Sequence, residues 1–504
     1  MNFESLEELF YSNIPIPIIL IFTVIPLVIG SLASQNSIST INDFFIYNRN
    51  MGTMVSFFTV YATWWSSFAF LGSISYFYSV GSVYWTAIGW NVLFGLLYLL
   101  FGAKIAQYGK EKGYLTPISF FTDIYDSRKL SLLVTAIMII FTIPYLQIQL
   151  YGGAIIIEIA TKGVIPWQIC ALMFYVVMII YLWAGGLRAV AWTDIFYGLL
   201  IFLGLIAGGY FLVSKVGGVD ILFEDLITKR PDLILLPVGS DTAGVTMWIS
   251  MFLIIPIGVV MGPQIWLRMY ATKEAKTFYI MPLLLSLGTI AYVGSILAGS
   301  AAALLKPEGV QASADAILPI LLVEFAPGWF MALIMCCGAA ACLSTANSGI
   351  HAVSALLTLD IYKRYFRPKS SEKHIVFIAK LCIVVFSAAA YLALVFAESP
   401  ISIVDMGFIA LCGMSQLIVP VAGALLWEKS NAQGAAAGLM AGVFFTLYFS
   451  FMKTIDLPLH SGVIALMING ITFVICGLLL PHNPVTVAKI TLYRKGNFQD
   501  VTSD

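Results

Sequence analysis

Apolar runs of about twenty residues recur along almost the whole chain, separated by short polar loops. A helix of that length crosses the hydrocarbon of a bilayer, where every backbone N–H and C=O must find its partner within the protein. Thirteen segments qualify: 14–34, 53–80, 82–107, 128–160, 164–184, 188–214, 244–268, 277–305, 327–362, 373–397, 400–427, 431–452 and 459–480. Only 10% of the 504 residues are charged, against about 25% in soluble domains, and the mean hydropathy is +0.94. The pattern predicts an all-α polytopic membrane protein with about thirteen transmembrane helices. A soluble fold is excluded.

The 26 basic and 26 acidic residues cancel, so net charge implies no nucleic-acid partner. Their placement says more. With the N-terminus outside, the outer loops carry only Lys162, Lys215, Lys229, Arg230, Lys306 and Lys453; the remaining Lys and Arg, Arg188 and Arg268 among them, fall on the cytoplasmic side. The positive-inside rule thus predicts an outside N-terminus and a cytoplasmic C-terminus. Of the seven cysteines, Cys170, Cys336, Cys337, Cys342 and Cys412 sit inside apolar runs and read as helix-packing residues rather than a disulfide framework. Glu4, Glu7 and Glu8 replace the basic start of a signal peptide, so the first run is expected to stay attached as a helix.

Polar residues inside the spans point to function. The stretch Cys336 to Arg364 reads as one long helix carrying Ser344, Thr345, Ala346, Asn347 and Ser348 in its middle. Ser344, Asn347 and Ser348 share a face at i, i+3 and i+4, and the small residues from Gly338 to Ala341 let another backbone come close. Uncharged oxygens on an approachable helix suit a weakly bound monovalent cation. Within 53–80, the run from Tyr61 through Trp64, Trp65, Ser66 and Ser67 to Gly72 fits a broken helix with free carbonyls, or a continuous one with hydroxyls bonded back to i−4 carbonyls. Span 244–268 is interrupted by Pro256, Gly258, Gly262 and Pro263, which predicts a second discontinuous helix. Interruptions heading each of two five-helix halves suggest an inverted repeat with its site between them. In span 128–160, Gln147 and Gln149 cannot face the same way, and at least one is expected to face a cavity. Asp194 either pairs with nearby Arg188 or lies on an inward ion path. Residues 307–326 look like a short amphipathic lid. The four histidines (His351, His374, His460, His482) lie far apart, without metal-ligand spacing, nucleophile triad or phosphate loop, so the chain does not read as an enzyme.

Three segments carry a resemblance to the sodium/solute symporter family: GGLRAVAWTD at Gly185–Asp194, GPQIWLRMYATK at Gly262–Lys273 and LSTANSGIHAVSALLTLDIYK at Leu343–Lys363. The similarity covers nearly the whole chain. It implies a LeuT-like core of five plus five helices, with the first and sixth core helices broken. The organisation expected is an accessory helix within 1–52, repeats at 53–214 and 244–427 joined by an external loop at 215–243, two accessory helices within 428–480, and a cytoplasmic tail at 481–504. The resemblance implies sodium as coupling ion, held by the Ser344 and Thr345 side chains and the Ala62, Trp65 and Ala341 carbonyls. A second sodium position, or release path, would fall on Asp194, Ser344, Asn347 and Ser348; Asn347 departs from the usual hydroxyl there, and Tyr197 from a glutamine. By analogy a small organic solute would meet Trp64, Ser66, Ser67, Phe68, Tyr145, Gln147, Gln149, Pro263, Gln264 and Gln416, with a monocarboxylate or amino acid preferred over a sugar. Proton coupling through Asp194, and a solute sensor acting with a partner protein, are the alternatives.

Overall fold

The computed structural model describes residues 16–35, 40–235, 244–306, 313–397, 402–452 and 459–495. The described residues form helices and their connections, with one isolated bridge between Met51 and Thr272. The acidic N-terminal residues and parts of the outer loop and lid segments lie outside them.

By length and composition, nine described helices can cross a membrane, or ten when one bent pair counts as a span. The thirteen expected segments differ from this for a physical reason. Residues 53–80 and 82–107 do not form two plain helices: Thr53–Trp64 ends early, and the chain from Phe68 to Lys112 runs as a succession of α, π and 3-10 turns. The runs at Val24–Ala33 and Trp167–Ile180 are apolar but short.

Spans 164–184 and 188–214 join as one helical stretch, Trp167–Val216, kinked at Gly186. Its φ of 56° and ψ of −151° belong to glycine, and a Cβ there would stand 2.6 Å from the Phe44 carbonyl oxygen. This close approach lets the short helix Ile41–Ile46 lie against the kink. Beside it, Asp43 pairs with Arg188 at 2.7 Å, and the guanidinium covers the Tyr47 ring at 4.5 Å. Gly186→Ala is expected to cost about 1–3 kcal/mol. A fall in the melting temperature of the detergent-purified protein checks this; unchanged melting removes the backbone constraint.

In the span 244–268 only one of the two prolines breaks the helix. Pro256 sits inside the continuous helix Val245–Val260, and the break comes at Gly262–Pro263, with a 55° bend to the helix Pro263–Ala271. Proline disfavours helical backbone in the residue before it, and Gly262 is extended (ψ 136°). Pro263 then opens the next helix, where its missing N–H costs nothing. Gly258 serves packing instead: a Cβ there would meet the Leu411 carbonyl oxygen at 2.3 Å.

The helix Gly328–Ala355 is the buried centre, in contact with Arg128–Ala160, Trp167–Val216, Thr53–Trp64 and Pro263–Ala271. Its small residues explain the closeness, because in lipid helices associate through backbone approach and packing rather than hydrophobic exclusion. The last two spans, Ala432–Phe451 and Ser461–Leu479, pack mainly on each other and against Ile403–Ser415. Pro484–Lys495 forms a final helix tied to Pro117–Tyr125 by Lys489, whose Nζ lies 3.0 Å from Asp123.

Candidate functional site

The first broken helix owes its break to tertiary partners rather than to a proline. Thr53–Trp64 stops at Trp65 (φ −82°, ψ 80°). The Ser66 N–H turns to the Trp64 carbonyl and the Ala69 N–H to that of Ser66, so the carbonyls of Ala62 and Trp65 leave the regular ladder. Side chains satisfy the freed groups. Gln149 accepts the Ser67 N–H at 2.9 Å, Ser67 Oγ donates to the Ile148 carbonyl at 2.8 Å, and Ser66 Oγ accepts the Phe68 N–H at 3.2 Å. Of the two sequence readings the broken one holds, and a π-helical turn, Phe68–Gly72, comes directly after it.

Facing this break is the middle of Gly328–Ala355. Thr345 Oγ1 donates to the Thr63 carbonyl at 3.1 Å, so the hydroxyl lies against the unwinding backbone beside Ala62. Ala341 is one turn earlier on the same helix and fully buried. Of the five expected sodium ligands, Thr345 meets the break through its hydroxyl, the Ala62 and Trp65 carbonyls belong to the break itself, and the Ser344 hydroxyl turns to Asp194; uncharged oxygens of this kind suit a monovalent cation.

One turn deeper lies a charged network. Asp194 and Arg268 form an ion pair at 3.1 Å, each side chain 1% exposed. Ser344 Oγ donates to Asp194 Oδ1 at 2.8 Å, and Thr59 Oγ1 donates to Oδ2. Arg268 Nη2 also reaches Ser348 Oγ at 2.6 Å, Nε reaches Thr59 Oγ1 at 2.9 Å, and Nη1 donates to the Gln264 carbonyl at 3.0 Å. Thr63 Oγ1 and Ser348 Oγ, 2.9 Å apart, connect this network to the break above. Asp194 therefore does not pair with Arg188, which is taken by Asp43. Arg268 in turn is no loop charge: it is buried among four helices and drops out of the cytoplasmic tally. Thr59, Thr63 and Arg268 were missed from sequence. The available signal was Thr59 and Thr63 at i, i+4, the same spacing as Ser344 and Ser348.

The expected solute residues divide. Gln264 is fully buried, and neither its Oε1 nor its Nε2 has a hydrogen-bond partner among the described residues. Pro263 lies beside it at the bend. A buried amide left unbonded is costly, which makes Gln264 a candidate ligand contact at the bend. Asn347 Oδ1 is likewise unbonded. Trp64 stacks on Phe94 at 5.1 Å and hydrogen-bonds Asn91; Trp65 packs on Tyr292 at 4.2 Å. Phe68 meets Phe408 at 5.9 Å. Tyr145 is buried beside Ser66, and Gln149 is spent on the break, its Nε2 donating back to the Tyr145 carbonyl. Gln147 is half-buried. Gln416 is engaged elsewhere: its Oε1 accepts from Asn469 at 3.2 Å and its Nε2 donates to Cys412, under the last span. His351 is packed against Phe44 and Phe45 with Nε2 3.4 Å from the Phe45 carbonyl.

The model of the Sodium:solute symporter family matches residues 44–442. The symporter YhjB of Bacillus subtilis (strain 168) is 25% identical over 473 residues, 90% of this chain and 94% of its own. The sodium/pantothenate symporter of Escherichia coli (strain K12) is 24% identical over 450 residues, covering 86% and 90%. The high affinity choline transporter 1 of Homo sapiens is 26% identical over 422 residues, covering 79% and 69%. Among solved structures, a Na+-coupled sialic acid symporter in its substrate-bound outward-open state superposes with a TM-score of 0.79 at 20% identity, over 94% of this chain and 99% of that one. The nucleobase-cation-symport-1 transporter Mhp1 in a closed conformation gives 0.59 at 13% identity, over 89% and 98%. The fold is thus the LeuT-like one expected from sequence.

Proposed function

Because the chain belongs to the sodium:solute symporter family, we propose that it couples sodium entry to uptake of a small organic solute by alternating access. It is an integral membrane transporter, not an enzyme. The observation that carries the sodium reading is the Thr345 hydroxyl set against the Thr63 carbonyl at the break of the first helix. Uncharged oxygens from two helices meet there, so a cation bound between them draws those helices together.

In this reading sodium enters from outside at Ala62, Trp65, Ala341, Ser344 and Thr345 and orders the first broken helix. Solute then binds at the second break, where Gln264 offers a donor and an acceptor. Occupation of both allows the core to rock, and release to the cytoplasm passes Asp194. A membrane potential contributes about 2.3 kcal/mol per charge per 100 mV. At about 1.4 kcal/mol per tenfold, one sodium supports tens-fold accumulation from that term alone. The Lys and Arg distribution supports an outside N-terminus, and membership of the family supports a plasma-membrane setting.

Relatives named for pantothenate and for choline carry solutes of opposite charge, so kinship does not select the solute. Unwound N–H groups at the helix breaks can meet a carboxylate without an arginine. A monocarboxylate or amino acid is the class proposed. Uptake into proteoliposomes tests it, with labelled monocarboxylates, amino acids and sugars under inward sodium, potassium or proton gradients. Sodium-stimulated uptake of a carboxylate-bearing solute is expected. Uptake driven by protons alone would reject sodium coupling, and sodium-driven uptake of sugars only would reject the solute class.

A further inference from the structure

Behind the central helix lies a cavity of about 300 Å³, walled by Ile16–Gln35, Arg128–Ala160, Trp167–Val216 and Gly328–Ala355. The packing around it is tight. A Cβ at Gly153 would stand 2.7 Å from the Phe174 ring, and one at Gly338 would stand 2.8 Å from Ile156, so the same helices touch closely beside the gap. Protein interiors carry few voids larger than a water molecule, and an apolar cavity of about 150 Å³ already binds benzene. Water is a poor occupant here. Apart from the Cys336 thiol, a weak donor, the lining side chains offer only the Thr161 hydroxyl, which donates to the Glu158 carbonyl at 3.0 Å. A buried water needs about two to four polar partners, which these side chains do not supply. Three lining residues are methionines, Met173, Met331 and Met335, whose flexible thioethers adapt to an occupant without fixed shape. The cavity reaches the lipid-facing surface at Met173, which is 47% exposed.

Its length and depth match one leaflet. Along the central helix the lining runs from Met331 to Leu343, about 18 Å at 1.5 Å per residue. Half of the bilayer hydrocarbon is about 15 Å deep. Thr161, where Arg128–Ala160 ends, marks the interfacial end, and Leu343, midway along Gly328–Ala355, marks the inner one. We propose that this cavity binds one acyl chain of a bilayer phospholipid, drawn from the leaflet on the side where Arg128–Ala160 ends. The chain enters sideways past Met173 and lies along the central helix with its methyl end at Leu343. Its gain is contact, because unfilled space leaves the lining atoms without partners on one side. Thr345 is two positions past Leu343, roughly 200° round the helix, so the lipid backs the ion-site helix from the side away from the first break. Neither sodium nor solute takes part in this binding, so the proposal stands apart from the coupling reading.

The test places the full chain in lipid nanodiscs containing a phospholipid with a diazirine at the end of one acyl chain. Ultraviolet crosslinks are mapped by peptide mass spectrometry. In wild type they are expected to concentrate on the peptides holding Phe174 and Ala339 to Leu343, several-fold above those at Leu203 and Leu392, which are exposed but lie outside the cavity. Ala339→Phe puts a ring into the cavity and is expected to lower the cavity crosslinks several-fold while leaving those at Leu203 unchanged. Returning phospholipid to delipidated protein should raise the melting temperature of wild type more than that of Ala339→Phe. Crosslinks spread evenly over the lipid-facing peptides of wild type overturn the proposal, even if Ala339→Phe does not fold. Cavity crosslinks that persist at full strength in folded Ala339→Phe overturn it as well.

Discussion

Asp194→Asn is expected to lower stability by about 3–5 kcal/mol, because it leaves the Arg268 guanidinium buried without its counter-charge. The penalty comes from the partner left behind more than from the attraction removed. Asp194→Asn combined with Arg268→Gln should therefore recover much of the loss, since no uncompensated charge remains. A double-mutant cycle on the unfolding of detergent-purified protein measures this coupling. Transport should not recover in parallel. With Asp194 gone the proposed release path lacks its carboxylate, so turnover is expected to fall more than the half-saturating solute concentration changes. Equal stability of the single and double variants would show that Arg268 finds another partner, and normal turnover in Asp194→Asn would reduce Asp194 to a structural role.

Thr345→Val should raise the sodium concentration for half-maximal uptake roughly ten- to hundred-fold. Valine keeps the buried shape and removes the hydroxyl that faces the Thr63 carbonyl. Hydrogen bonds to charged groups contribute about 1.5–3 kcal/mol, and loss of an oxygen from a bound cation should weaken it on a similar scale. Each 1.4 kcal/mol is about tenfold. Thr345→Ser, which retains the oxygen, is expected to stay close to wild type, and this contrast separates ligand loss from misfolding. Uptake measured against sodium for the three proteins checks it. An unchanged sodium requirement in Thr345→Val would remove Thr345 from the proposed ion site.

Much of this is legible in the residues alone. Ser344, Asn347 and Ser348 at helical spacing in a small-residue helix mark the central element, since polar oxygens are rarely carried into a membrane interior without use. Gly262–Pro263 marks the second break, because proline acts on the backbone directly and needs no partner. The first break is not legible in the same way. Nothing between Tyr61 and Ser67 forbids a continuous helix, and the break is held by Gln149 and the Ile148 carbonyl, more than eighty positions away. Pro256 misleads for the converse reason: a proline within a packed span is tolerated when neighbouring helices absorb its effect.

The sequence by itself determined the membrane setting, the all-helical class, the order of the spans and the face that carries hydroxyls. These rest on hydropathy and periodicity, which are local and which lipid enforces on every span. Only the tertiary structure decided which buried charge meets which. Arg268 lies 74 positions from Asp194, 80 from Ser348 and 209 from Thr59, and no periodicity links them. By charge alone Arg268 was indistinguishable from a loop residue, and Asp194 was as well matched to Arg188 as to any other base. Convergence of four helices on one dry point settled both, because a buried charge can persist only where another chain segment brings its complement.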